Sequence, residues 1–164
     1  AYSRVGRREL ALTTVNVADV VQRVLTERAH DLASITVVHD IPALAVTVDL
    51  ECLLQILRNL VDNAVKFSRQ SAQARIILQA NRHGAKLVLS VQDNGGGFDM
   101  KYHDRIFTIF QRLHRAQDYP GTGVGLAIVS KAAERLGGRV WAKSMPGQGA
   151  TFFLELPLST AETP

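Results

Sequence analysis

Two asparagines and a lysine share one side of a helical pattern near the middle of the chain. In LRNLVDNAVKF (residues 57–67), a rotation of about 100° per residue brings Asn59, Asn63 and Lys66 within about 60° of one another. Leu53, Leu57, Leu60, Val61 and Ala64 fall on the opposite arc. Asparagine costs a helix interior about 0.5 kcal/mol relative to alanine, so two on one stripe ask for a reason. The plain alternative is a solvated helix face. An amide oxygen is a neutral hard ligand suited to Mg²⁺, which takes its remaining ligands from phosphates and water. A lysine one turn further on adds a point charge for phosphate oxygens. The stripe therefore fits a Mg²⁺-nucleotide.

Two glycine-rich stretches could complete such a site. DNGGGFD (residues 93–99) follows a strand-like run. Gly95, Gly96 and Gly97 permit positive φ and close approach of a ligand, and the Asp93 carboxylate can accept a hydrogen bond from an exocyclic amino group. A tight turn led by Asp and Asn is the competing reading. GTGVGLAIV (residues 121–129) places three alternating glycines at the start of a helical pattern. Unpaired N–H groups and the positive end of a helix dipole make such a start an anion site, with phosphate the natural guest. The spacing matches neither the P-loop nor the strand-to-helix dinucleotide fingerprint.

The elements that must position these residues are a mixture of helices and strands. Residues 10–16 read as a β-rich stretch, and residues 17–32 as a helix with Val17, Val20, Val21, Val24 and Leu25 on one face. Short strands follow at 35–39 and 45–48. Asp49 is the expected N-cap of a helix running to about Phe67. Residues 74–82 and 86–93 form a hairpin around residues 81–85. Residues 93–122 are polar and irregular with a possible short helix near 100–107, a pattern typical of a functional lid or of a mis-assigned element. A helix at 124–136 ends at Gly137 and Gly138, followed by strands at 139–144 and 150–156. The pattern predicts an α+β, two-layer fold with helices segregated against a mainly antiparallel sheet.

Composition narrows the function classes. With 164 residues, 46% of them hydrophobic, the chain suits one domain with a single core. Cys52 is the only cysteine, so no internal disulfide forms and a cytoplasmic setting is expected. No apolar run approaches the roughly 20 residues of a membrane-spanning helix. The net charge of +4 comes with one dense basic cluster, Arg4, Arg7 and Arg8, at the terminus. Basic and aromatic residues do not interleave along the strands, which argues against nucleic acid as a partner.

Five boxes then occur in one order: the asparagine helix, the aspartate-glycine turn, IFTIFQR (residues 106–112), the glycine-rich helix start and GQGATF (residues 147–152). Over residues 12–157 the chain resembles the ATP-binding catalytic domain of sensor histidine kinases, within the superfamily shared with gyrase, Hsp90 and mismatch-repair ATPases. QRLH followed by YPGTGVGLAIV looks most like the phytochrome-linked branch.

The resemblance implies a two-layer α/β sandwich with ATP between the helices under a mobile lid at residues 113–120. Asn63 matches the Mg²⁺-ligating asparagine. Asn59 stands where the ATP-hydrolysing relatives carry a catalytic glutamate. An amide cannot activate water, so Asn59 favours phosphoryl transfer over hydrolysis. Lys66 resembles the phosphate-facing lysine, Phe67 the aromatic beside adenine, and Asp93 the reader of the adenine amino group. Gly95, Gly97 and Thr151 would shape and support that wall. Phe107 and Phe110 match the lid phenylalanines, with core packing as the alternative, and Arg112 an arginine near the γ-phosphate, with a surface arginine as the alternative. Gly121, Thr122, Gly123, Val124, Gly125 and Leu126 match the phosphate loop.

The resemblance further implies catalysis by Asn59, Lys66 and Arg112, with ATP and Mg²⁺ as cofactors. The substrate would be a histidine on a dimerisation domain outside this chain, and a response regulator receiver domain would take the phosphoryl group onward. His30, in an HDL triplet, lies too near the asparagine box to be that acceptor and no proline follows it; His39, His83, His103 and His114 also lack the acceptor's context. Residues 1–9 resemble the end of the preceding helix, 10–157 the catalytic domain and 158–164 a tail. The parent is expected to be a homodimer and this piece a monomer. Rival readings are an ATP-hydrolysing clamp, which would want glutamate at position 59, and a non-catalytic nucleotide- or partner-binding module.

Overall fold

Two buried or half-buried caps set the first elements. A computed structural model of the chain describes residues 9–69, 71–107 and 125–158. Strand β1 (Leu12–Asn16) runs straight into helix α1 (Val17–Glu27), whose first turn is capped by the Asn16 side chain accepting the Ala18 N–H at 2.9 Å. Val17, Val20, Val21, Val24 and Leu25 are buried, as their spacing predicts.

The expected single helix over 17–32 is two. It breaks at Arg28, and a short α2 (Ala29–Leu32) follows. At the break Arg28 leaves helical geometry (φ −100°, ψ 13°), and its guanidinium reaches Asp62 of the central helix at 2.6 and 3.2 Å.

Strands β2 (Thr36–Asp40) and β3 (Ala45–Asp49) lead to helix α3 (Leu50–Ser68). Asp49 is 1% exposed and serves two elements. One oxygen caps α3 through the Cys52 N–H at 3.0 Å, and the other takes the Ala11 N–H at 2.9 Å beside β1. Strands β4 (Arg75–His83) and β5 (Lys86–Asp93) form the expected hairpin. Two 3₁₀ turns (Met100–Tyr102 and Arg105–Phe107) precede α4 (Gly125–Arg135), β6 (Arg139–Ser144) and β7 (Ala150–Pro157).

The main sheet has the order β2-β4-β5-β7-β6, antiparallel except for the parallel β2–β4 pair. β1 and β3 pair antiparallel in a small separate sheet. Helix α3 lies on β4 and β5, with α1 and α4 beside it. Leu53, Leu57, Leu60, Val61 and Ala64 meet Leu78, Leu89, Val91 and Leu154 in one core. The fold is thus α+β in two layers, helices on one face of a mixed, mainly antiparallel sheet. On the opposite face Trp141 stacks on Phe153 (5.2 Å, 10°), with Arg139 over the indole at 4.2 Å.

Candidate functional site

The asparagine stripe of α3 is neither core nor solvent. Asn59, Asn63, Lys66 and Phe67 are all half-buried, while Asp62, on another arc, is exposed. Asn59 donates its Nδ2 hydrogen to the Gln55 carbonyl at 2.8 Å, which fixes the amide. Its Oδ1 is thereby turned towards the amino end of α4: a side-chain carbon placed on Gly125 would stand 3.0 Å from that oxygen. One turn further along, the Asn63 Nδ2 is buried and has no hydrogen-bond partner. A buried unpaired amide costs about 1–3 kcal/mol, and such atoms gather where a ligand completes them. Rotation of the amide exchanges its two ends, so the position suits an oxygen ligand equally. The Lys66 ammonium stands 5.5 Å from the Phe67 ring centroid.

The aspartate-glycine turn meets the far end of the same helix. A side chain on Gly95 would collide with the Phe67 carbonyl oxygen, so glycine alone permits this approach. The Gly95 N–H is donated to Asp93 Oδ1 at 2.8 Å, whereas Asp93 Oδ2 is buried without a partner. Asp93 is 3% exposed. Burial pushes its carboxyl from the usual 3.8 up to about 6, and the Gly95 and Ala150 backbone amides only partly oppose this. Among the described residues, Asn63 and Asp93 hold the buried side-chain atoms left unpaired, and both belong to boxes singled out from the sequence.

The β6–β7 hairpin braces that turn. Gly97 adopts φ +67° against the Met145 and Gly149 carbonyls. The Phe98 N–H is donated to Ser144 Oγ at 2.8 Å, and Ser144 in turn donates to the Gly149 carbonyl at 2.6 Å. The Gly147 N–H reaches the Gly96 carbonyl at 2.6 Å. Ser144 was not legible as a site residue, because its partner Phe98 lies 46 positions away.

Thr151 does not join this group. In the register of β5 and β7, Asp93 stands opposite Ala150 and Gln92 opposite Thr151. Alternation therefore puts Thr151 on the outer face of the sheet, and the residue sharing a face with Asp93 is Ala150. Phe107 is half-buried, edge-on to Phe152 at 6.1 Å, and packs against the core, which is the alternative its spacing left open. Gly125 and Leu126 open α4 beside Asn59. Phe110, Arg112, the segment 113–120 with His114, Gly121, Thr122, Gly123 and Val124 lie outside the described residues, as do the terminal stretches 1–8 and 159–164.

The arrangement is asymmetric in its chemistry. At one end stand the Asn59 amide and the positive end of α4, with Asn63 one turn on; at the other, where Lys66 and Phe67 end the stripe, stands a buried carboxylate oxygen seeking a donor. An anionic, metal-bound group suits the first, and a heterocycle bearing an amino group suits the second. One amide does not hold Mg²⁺ by itself, so these residues fit a cation that arrives with phosphate oxygens.

Known proteins carry the same arrangement of sequence and fold. The chain is 38% identical over 164 residues to cyanobacterial phytochrome A of Nostoc sp., covering 99% of this chain and 21% of that protein. It spans about a fifth of that relative's length. Full-length ShkA in complex with AMPPNP superposes with a TM-score of 0.84 at 30% identity, over 97% of this chain and 34% of that one. The histidine kinase ThkA, in complex with response regulator protein TrrA, gives 0.75 at 22% identity over 92% and 43%, a likeness of fold. Residues 48–160, which hold the asparagine helix, the glycine turn, α4 and the closing hairpin, match the histidine kinase-, DNA gyrase B- and HSP90-like ATPase family, and the chain belongs to it.

Proposed function

We propose that the chain is the catalytic domain of a two-component sensor histidine kinase, binding Mg²⁺-ATP and passing the γ-phosphoryl group to a histidine on a separate dimerisation domain. The observation that carries this reading is the pair of buried, unpartnered atoms on Asn63 and Asp93, joined by the close contact of Gly95 with the end of α3. Asn63 would present its amide oxygen to the metal, and Asp93 would accept the adenine amino hydrogen. Asn59, held by the Gln55 carbonyl, lines the approach to α4. Held there, Mg²⁺ would supply positive charge against the transferred phosphoryl group. An amide at position 59 takes no proton from water, which favours a protein nucleophile over the hydrolytic reading.

By the family resemblance, Lys66, Arg112 and residues 121–126 would hold the phosphates, and Phe67, Gly95 and Gly97 would wall the base. The expected partners are the parent's own dimerisation domain and a response regulator receiver domain, in a cytoplasmic homodimer. Melting with Mg²⁺-ATP tests the binding step: at about 100 times the dissociation constant, stability should rise by about 2.7 kcal/mol. Phosphorylation in trans of a separately supplied dimerisation domain tests transfer. An unchanged melting temperature at millimolar ATP contradicts the proposal.

A further inference from the structure

Among the described residues, an imidazole ties the 3₁₀ turns that follow the glycine turn to the edge of the sheet. His103 Nε2 accepts the backbone N–H of Ala142, on edge strand β6, at 3.0 Å, and His103 Nδ1 lies 3.0 Å from Asp104 Oδ1. Only an unprotonated ring nitrogen accepts an N–H, so this geometry requires the neutral ring with its hydrogen on Nδ1, donated to Asp104. The same ring stands edge-on to Phe107 at 5.4 Å, and Phe107 stands edge-on to Phe152 at 6.1 Å. The Arg105–Phe107 turn also packs on α4, whose first residue, Gly125, lies beside Asn59. A continuous path of contacts thus runs from the β6 edge through His103 and Phe107 to α4, the helix that opens beside Asn59.

We propose that His103 is a positioning residue of the nucleotide site: by hooking Ala142 it sets where the Phe107 turn sits, and through that turn the phosphate-side end of α4. The inference rests on the nucleotide reading above and deepens it. Acceptor and packing roles separate chemically. Leucine at position 103 still packs on Phe107, but leaves the Ala142 N–H without its acceptor; glutamine offers an amide oxygen to that N–H. The contacts that hold the Asp93 turn, the Gly95 N–H on Asp93 and the Phe98 N–H on Ser144, do not involve His103, so the base end keeps its own hydrogen bonds.

The test compares the whole chain with His103→Leu and His103→Gln, each titrated with Mg²⁺-ATP and with adenosine and monitored by amide NMR. His103→Leu should weaken ATP binding about five- to tenfold, the scale of one lost hydrogen bond, and leave adenosine binding unchanged. His103→Gln should restore most of the ATP affinity. Exchange of the Ala142 amide should be slow in the wild type and His103→Gln, and fast in His103→Leu. ATP binding equal to wild type in His103→Leu, or equal losses for ATP and adenosine, overturns the proposal. Should His103→Leu not fold, ring-nitrogen NMR of the wild type decides: an unprotonated Nε2 supports the hook, and a hydrogen on Nε2 overturns it. A wild type that binds no ATP refutes the nucleotide reading instead, so the two failures are distinct.

Discussion

Asp93 carries a cost in the unliganded protein that a ligand can reverse. Its carboxyl sits at about 6 in the folded state against 3.8 normally, so the fold binds this proton more tightly than the unfolded chain does. Its favourable contribution is complete below pH 3.8 and is lost as pH rises through about 6, leaving a penalty of about 3 kcal/mol at neutral pH. Asp93→Asn should therefore raise the melting temperature of the unliganded chain at pH 8 more than at pH 5, and weaken ATP binding about tenfold. Melts at both pH values, with calorimetric titration at pH 8, check this; a variant less stable at pH 8 contradicts it. ATP affinity of the wild type should also fall as pH drops below about 6, when the ionised acceptor is lost. For Asn63→Ala, removal of a buried unpaired amide should leave the unliganded fold as stable as before. What disappears is the preference for ATP with Mg²⁺ over ATP with a chelator, measured by paired titrations.

At the scale of elements, the site depends on close backbone contact between a turn and a helix end. Gly95→Ala drives a methyl group into the Phe67 carbonyl and should cost about 1–3 kcal/mol, read by denaturant unfolding, together with ATP binding. Thr151→Val, on the outer sheet face, should change stability within about 0.5 kcal/mol and leave ATP affinity unaltered. The contrast between α3 and β7 explains what sequence can reveal. The α3 stripe was legible because nineteen helical residues repeat one period, and the buried arc came out as its spacing required. In β7 the side-chain period is two, so a role assigned one residue away from Ala150 put Thr151 on the wrong face. At the break Arg28 pairs with Asp62, 34 positions away, and the Ser144 and His103 contacts span 46 and 39 positions. No local pattern encodes such partners.

For the molecule as a whole, the two-layer fold and the order of its elements followed from periodicity and caps, while strand neighbours beyond the β4–β5 hairpin did not. Nothing in the alternation of β1 and β3 announces that they pair apart from the main sheet. Helices gathered on one face set α3 on β4 and β5 and α4 beside it on β6 and β7, and this brings separate boxes to one place. The central claim is that a single nucleotide reaches from Asn63 to Asp93. Titration of the labelled chain with Mg²⁺-ATP, following the Asn63 side-chain amide and the Gly95 and Gly125 backbone amides by NMR, tests it most directly. All three signals should move together and saturate with one dissociation constant. Signals that stay fixed at millimolar Mg²⁺-ATP, or that saturate at different concentrations, would contradict it.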